Sequence, residues 1–104
     1  MKQASAIKCL SAIAHEGRLS LMRRLIVAGP SGMASGALAA AEDINATTTS
    51  AQLLVLANTG LVNSKRNGKQ VIYHANFQRF QDLIAFMMED CCTGADEKSG
   101  ACNE

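Results

Sequence analysis

The sequence predicts one mainly α-helical (α+β) domain, with about five helices and a two-stranded β-hairpin near its C-terminal end. Its 104 residues are 48% hydrophobic and 18% charged, a composition typical of a single folded domain. Apolar residues recur at helical spacing through most of the chain, and an alternating pattern replaces that spacing between residues 61 and 75. The longest aliphatic runs, residues 53–57 and 84–88, are too short to span a bilayer. With no apolar leader behind Lys2 and Lys8, we expect a cytoplasmic protein with no membrane partner.

Two helices are predicted before a turn at residues 28–32. Residues 4–14 and 18–28 carry apolar residues at helical spacing, and Gly17 separates the two segments. Their apolar faces are formed by Ile7, Leu10 and Ala14 and by Leu19, Met22 and Ile26. The turn sequence Ala-Gly-Pro-Ser-Gly ends the second helix.

A short helix and a longer helix follow this turn. Ser35 is predicted to cap the short helix, which extends to Ala41, and Asn45 is predicted to cap a helix from Ala46 to about Thr59. The side of the longer helix that faces the core is predicted to consist of Thr49, Leu53, Leu56 and, beside them, Leu54. The opposite side is predicted to consist of Thr47, Thr48, Ala51, Gln52 and Val55.

The hairpin and the last helix are predicted from a change of period. Residues 61–66 and 69–75 flank Asn67-Gly68, a strong sequence signal for a two-residue hairpin turn. A last helix begins at about Asn76. Its apolar stripe at helical spacing consists of Phe77, Phe80, Ile84, Met87 and Cys91.

This order of elements describes a winged helix-turn-helix, a fold that binds DNA. Its second helix offers polar side chains to the major groove, and its hairpin offers cations to the flanking phosphates. The residues predicted to contact bases are Thr47, Thr48, Ser50 and Gln52, and those predicted to hold phosphate are Lys65, Arg66 and Lys69. Gln52 has the donor and the acceptor needed for two hydrogen bonds with one adenine. Taken singly, a polar helix face and a basic turn are also typical of ordinary solvated surface.

The charge distribution favours a polyanionic partner. The net charge is +1, yet residues 1–88 contain nine of the ten Lys/Arg and four acidic residues, a net charge of +5. Residues 89–104 have a net charge of −4. A basic body with an acidic tail suits DNA that is contacted away from the tail, although solvated surface charge gives the same pattern.

Three of the four cysteines fall within twelve residues and form a candidate metal site, Cys91, Cys92 and Cys102. Three thiolates without a nearby His select a soft, thiophilic ion. As(III) or Sb(III) fits a set of three thiolates, whereas a structural zinc ion would need Cys9 or an outside group as its fourth ligand. For Cys91 and Cys9, burial as a small hydrophobic residue is the alternative.

No pattern in the sequence indicates an enzyme or an organic cofactor. A Ser/His/Asp order, a Gly-rich phosphate loop and paired catalytic carboxylates are all missing from it. His15 and His74 are isolated from other candidate ligands and are interpreted as structural.

Over about residues 6–92 the chain resembles the arsenical-resistance repressors (ArsR family), which are small dimeric winged-helix transcription factors. The resemblance rests on segments in register, which are Leu10–Leu19, Thr48–Leu53, Ala57–Val62, Asn67–Lys69 and Val71–Tyr73. It implies a homodimer, joined through the first and last helices, that represses by binding a palindromic operator and is released by its effector. The end of the last helix is similar to a subgroup in which Cys91, Cys92 and Cys102 would be the As(III) ligands.

Other effector sites of the family do not carry over, because residues 33–43 contain no cysteine and residues 76–92 no histidine. Many relatives have His where Ala51 and Gln52 stand, so the operator sequence is open.

We therefore expect an As(III)-responsive repressor with a DNA-binding and dimerisation domain at residues 1–92. A flexible tail, residues 93–104, contributes an effector ligand. Two alternatives are a repressor switched by a disulfide between Cys102 and Cys91 or Cys92 after oxidation, and a thiol-based metal carrier. The preference for As(III) over Sb(III), the role of Cys9 and the sharing of the site between subunits are also open.

Overall fold

The computed structural model describes residues 1–89, which form five α-helices and three β-strands. The elements follow the order α1 (Gln3–Ile13), α2 (Glu16–Ala28), β1 (Met33–Ala34), α3 (Ser35–Glu42), α4 (Ala46–Asn58), β2 (Val62–Asn67), β3 (Gln70–Ala75) and α5 (Phe77–Met88). A 3₁₀ turn at Gly29–Ser31 joins α2 to β1. This order confirms the predicted, mainly α-helical winged helix-turn-helix. Cys91, Cys92, Cys102 and the predicted tail lie outside the described residues.

Polar side chains fix the beginnings of three helices. The Oδ1 atom of Asn45 accepts a hydrogen bond from the Thr48 amide at 2.7 Å, which confirms the predicted cap of α4. Asn76 caps α5 in the same way, through the Arg79 amide at 3.2 Å. His15 caps α2, and its Nδ1 accepts from the amides of Gly17 and Arg18 at 3.1 and 3.3 Å.

Two predicted helix boundaries are wrong. Gly17 lies inside α2 rather than between the helices, because His15 supplies the cap two residues earlier. Ser35 is the first residue of α3, and Ala34 stands at the cap position without a side-chain hydrogen bond. Ala34 pairs with β3, so the sheet holds the backbone immediately before α3 begins.

The core lies between the helices and one face of the sheet. Its largest fully buried side chains are Leu21, Met22, Leu25, Leu38, Leu53, Leu56, Leu61, Leu83, Val62, Thr49 and Cys9. On α2 the buried face contains Leu21 and Leu25, whereas Leu19 is 46% exposed. The predicted inward face is therefore confirmed at Met22, which is buried, and at Ile26, which packs against the core, and it is wrong at Leu19. Leucines occupy two sides of this helix, and packing alone selects between them.

The sheet has three strands in the order β1-β3-β2, all antiparallel, where the sequence predicted two. The strand β1 has only two residues, Met33 and Ala34, which is too short to produce an alternating pattern. In the hairpin, Asn67 pairs with Gln70, so the two turn residues are Gly68 and Lys69, one position later than predicted. Of these two turn residues, only Gly68 has a positive φ (65°), as the first central residue of a type II′ turn requires.

Both α1 and α5, which pack against each other, expose apolar side chains. The exposed set comprises Ile7 and Leu10 of α1 and Phe77, Ile84, Met87 and Met88 of α5. Within residues 1–89 no helix has the length and apolar character needed to cross a bilayer.

Candidate nucleic-acid interface

The helices α3 and α4 form a helix-turn-helix whose turn comprises residues 43–45. Asp43 ends α3 in the left-handed conformation, with φ 56° and ψ 44°. The amides of Asp43 and Ile44 donate to the carbonyl oxygens of Ala40 and Ala39, at 3.2 and 3.1 Å. These paired bonds are those of a Schellman motif, which satisfies the last carbonyls of α3 and reverses the chain toward α4.

Burial of one side of α4 sets which residues this helix presents to solvent. Thr49, Leu53 and Leu56 are completely buried, and the Thr49 hydroxyl donates to the Asn45 carbonyl at 2.9 Å. The exposed residues of the first two turns are Ala46, Thr47, Thr48, Ser50 and Ala51. Leu54, which was predicted to face inward, is 59% exposed. The predicted inward positions 49, 53 and 56 are confirmed, and the N-terminal half of α4 presents hydroxyl groups.

Gln52, the fourth predicted base contact, is less exposed than Thr47, Thr48 and Ser50. It is half-buried on the side of α4 that lies against α2. Its Oε1 accepts a hydrogen bond from an Arg18 guanidinium N–H at 2.9 Å. The same guanidinium donates through Nε to the carbonyl of Ala12 near the end of α1. Sequence spacing gave no signal for Arg18, because its partner Gln52 is 34 residues away.

The hairpin of β2 and β3, called the wing below, carries the predicted phosphate contacts. Lys65, Arg66 and Lys69 are all exposed. Lys65 and Arg66 lie opposite Ile72 and Val71, and Lys69 lies in the turn. Within residues 1–89 none of these three cations forms a side-chain hydrogen bond or an ion pair, so all are available to an outside anion.

Arg24 is a cation outside the wing that is engaged in internal contacts. Arg24 of α2 forms an ion pair with Glu42 at the end of α3 and donates to the Ala41 carbonyl at 3.0 Å. The Ser20 hydroxyl also donates to Glu42, at 2.7 Å. Hydrogen bonds from Arg24 and then from Ser20 lower the pKa of Glu42 below its ordinary value. These contacts fasten the helix-turn-helix to α2.

The C-terminal end of α4 is held by both exposed helices, α1 and α5. The Thr59 carbonyl accepts from Arg79 Nε of α5 at 3.1 Å and from Cys9 Sγ of α1 at 3.7 Å. One residue later, the Gly60 carbonyl accepts from Asn76 Nδ2 at 3.0 Å. A displacement of α5 therefore acts directly on the end of α4. Arg79 was not singled out from the sequence.

The described residues include Cys9 but not the three cysteines of the candidate metal site. Cys9 is completely buried in the core, and its thiol donates to a backbone carbonyl. Within residues 1–89 no group of three His, Cys, Asp or Glu side chains is placed to hold a metal ion. The three predicted ligands, Cys91, Cys92 and Cys102, lie beyond these residues. Their role stays a prediction.

The comparisons with known proteins identify the fold. Neither a family model nor a curated protein sequence matches the chain. An ArsR-like transcriptional regulator from Rhodococcus sp. RHA1 superposes with a TM-score of 0.71 at 22% identity, over 85% of this chain and 79% of that chain. The homodimeric winged helix-turn-helix DNA-binding domain of a possible ArsR-family regulator from Mycobacterium bovis superposes with a TM-score of 0.68 at 23% identity, over 92% and 87%. This chain has the winged-helix fold of ArsR-type regulators.

A third neighbour is named a possible transcriptional regulator for arsenical resistance. Its TM-score is 0.68 at 25% identity, over 77% of this chain and 80% of its own. These neighbours are transcriptional regulators, and in helix-turn-helix proteins in general the second helix of the motif enters the major groove. The candidate interface consequently combines an uncharged helix that bears hydroxyl groups with a separate source of positive charge in the wing.

Proposed function

We propose that this protein is an ArsR-family transcriptional repressor that binds operator DNA as a homodimer and is released by As(III). The observation that carries the proposal is the pairing of two surfaces on one fold. One is the exposed N-terminal half of α4 with Thr47, Thr48 and Ser50, and the other is the wing with its three unengaged cations.

In this proposal the two surfaces make different contacts with DNA. Hydroxyl groups on α4 contact base edges or thymine methyls in the major groove, where each base pair presents a distinct pattern. Lys65, Arg66 and Lys69 contact phosphates, which position the protein on the duplex without reading its sequence. Because α4 itself contains no charged residue, most of the electrostatic attraction comes from the wing.

Dimerisation is supported by the exposed apolar side chains of α1 and α5. Ile7 is 57% exposed and Met87 is 51% exposed, a degree of exposure that a second copy of the chain would relieve. The Mycobacterium bovis neighbour is a homodimer. In a symmetric dimer the two α4 helices meet two half-sites of a palindrome.

The effector proposal rests on the chemistry of Cys91, Cys92 and Cys102. Three thiolates suit As(III), and Sb(III) shares this preference. In the sequence, Cys91 and Cys92 come three and four residues after the last residue of α5, Met88. The N-terminal end of α5 bonds the end of α4 through Arg79 and Asn76. A shift of α5 on ion binding would thus be transmitted to α4. A coupling of about 1–3 kcal/mol lowers operator affinity about 5–150-fold, which is enough for release.

In this proposal residues 1–92 bind DNA and dimerise, and residues 93–104 bring Cys102 to the pair at the end of the last helix. The protein acts in the cytoplasm, requires no organic cofactor and catalyses no reaction. The neighbours, which are transcriptional regulators, support the DNA-binding part of this proposal.

Titration of arsenite into the complex of the protein with an operator duplex tests this function. Fluorescence anisotropy of the labelled duplex should fall as arsenite is added, and the Cys91→Ser, Cys92→Ser and Cys102→Ser variants should each keep the duplex bound. Cys9→Ala is the matched control, because the Cys9 thiol is completely buried in the core and bonded to the Thr59 carbonyl, and it should respond like the wild type. A wild-type complex that arsenite leaves intact would contradict the proposal. Mass spectrometry then separates an arsenic adduct from a disulfide.

A further inference from the structure

The contact between Arg18 and Gln52 constrains what Gln52 is able to read. Arg18 lies in the first turn of α2, and its guanidinium is bonded to the Ala12 carbonyl on one side and to Gln52 Oε1 on the other. Arg18 and Gln52 are both half-buried, so the bond is partly shielded from water. A guanidinium that is planar and held at two points fixes the orientation of the amide it contacts.

Chemistry also fixes which end of the amide faces Arg18. A guanidinium has five N–H donors and no acceptor, so only the oxygen of the Gln52 amide bonds it. The Nε2 group, with its two donors, is left for other partners. Thr48 precedes Gln52 by four residues, which makes the two side chains neighbours along α4. The half-exposed amide thus lies beside a hydroxyl that we propose to contact DNA.

We propose that Arg18 is a specificity-determining positioning residue that makes Gln52 a donor-only base contact. Guanine presents two acceptors in the major groove, N7 and O6, and both suit the Nε2 donors. Adenine presents one acceptor and one donor, so its two-point contact needs the Gln52 oxygen as well. Arg18 takes one of the two lone pairs of that oxygen and holds it on the α2 side of the helix, which disfavours this contact. Gln52 therefore selects guanine in each half-site. The adenine contact predicted from the sequence alone gives way to this one. The inference rests on the proposed DNA-binding function.

Two substitutions change the hydrogen-bonding pattern in opposite ways. Gln52→Glu keeps an oxygen for Arg18 and replaces the Nε2 donors with a second acceptor, which matches the N4 donor of cytosine. Arg18→Met removes the guanidinium, so the Gln52 oxygen no longer bonds Arg18. The oxygen and the Nε2 group of Gln52 together then match the donor and the acceptor of adenine. Asn58→Asp is the matched control for the added charge, because Asn58 is exposed at the C-terminal end of α4, away from the half that we propose to contact DNA.

The experiment is selection of bound sequences from a pool of random duplexes by wild type, Gln52→Glu, Arg18→Met and Asn58→Asp, with thermal unfolding of each variant alongside. Wild type and Asn58→Asp should select guanine at one position of each half-site, by about 5–150-fold over the other bases. Gln52→Glu should move that preference to cytosine, and Arg18→Met should move it to adenine.

A failure of the proposed DNA-binding function and a failure of base reading by Gln52 give different results. If wild type selects no sequence at all, the proposed DNA-binding function is wrong. If wild type selects a palindrome and Gln52→Glu selects the same palindrome with the same discrimination, Gln52 reads no base and this inference is overturned. Because Gln52→Glu keeps the bond to Arg18, it tests the inference even if Arg18→Met fails to fold.

Discussion

Removing two wing cations gives a sharp test of how the protein holds DNA. The double variant Arg66→Ala/Lys69→Ala leaves Lys65 as the one remaining cation of each wing. Both side chains are exposed and form no hydrogen bond or ion pair within residues 1–89, so their loss should leave the domain folded. The expected change is therefore in DNA affinity and in its dependence on salt.

The structure sets the size of this change. Two wings with three phosphate contacts each give six contacts, and each contact contributes about −0.9 to the slope of log affinity against log salt. The slope falls from about −5.4 in the wild-type dimer to about −1.8 in the variant. Between 50 and 200 mM salt, wild-type affinity should then drop about 10³-fold and variant affinity only about 10-fold.

Fluorescence anisotropy of a labelled duplex across a series of salt concentrations measures both slopes. The matched control is Lys2→Ala/Arg23→Ala, which removes the same charge from exposed positions at the beginning of α1 and on α2. Its slope should stay close to that of the wild type. Equal losses in the two double variants would show that net charge, and not the wing, determines binding, and the reasoning would be refuted.

Three further predictions concern the stability of the domain. Asn45→Ala removes the bond to the Thr48 amide and should lower the free energy of unfolding by about 1 kcal/mol in urea titrations; an unchanged midpoint would contradict the role of the cap. Leu56→Ala leaves a cavity at a completely buried position and should lower the free energy of unfolding by about 2–5 kcal/mol. Because Arg24 lowers the pKa of Glu42 below 4.5, their pair stabilises the fold above that pH, and the stability is lost as the pH falls through the lowered pKa. Thermal unfolding of Glu42→Gln should accordingly be less sensitive to acid than that of the wild type, and parallel acid limbs would argue against the pair.

Much of the fold was predictable because it follows from local chemistry. The cap at Asn45 and the buried spacing of Thr49, Leu53 and Leu56 are properties of one helix and need no knowledge of its neighbours. Gly68 marked the hairpin for the same reason. The element order, and with it the winged helix-turn-helix, could be assembled from such local signals.

The features that sequence reasoning missed depend on contacts between distant segments. The strand β1 is two residues long and exists because Met33 and Ala34 pair with Tyr73 and Ile72. Leu19 has the spacing of a core residue, yet the neighbours of α2 leave it exposed.

The same limit applies to the candidate site. Composition and spacing indicated which side chains of α4 and the wing are polar or basic. They gave no indication that Arg18 occupies one end of Gln52, or that Arg79 bonds the end of α4, because these partners lie 34 and 20 residues apart. Such contacts arise only when the chain is folded.

X-ray absorption at the arsenic edge, recorded on the same sample in which operator occupancy is measured, shows whether three thiolates on one arsenic atom release the operator. We expect three sulfur neighbours around each arsenic atom, a loss of one sulfur neighbour in Cys102→Ser, and operator release only where all three are present. Two sulfur neighbours in the wild type, or three with the operator still bound, would contradict it.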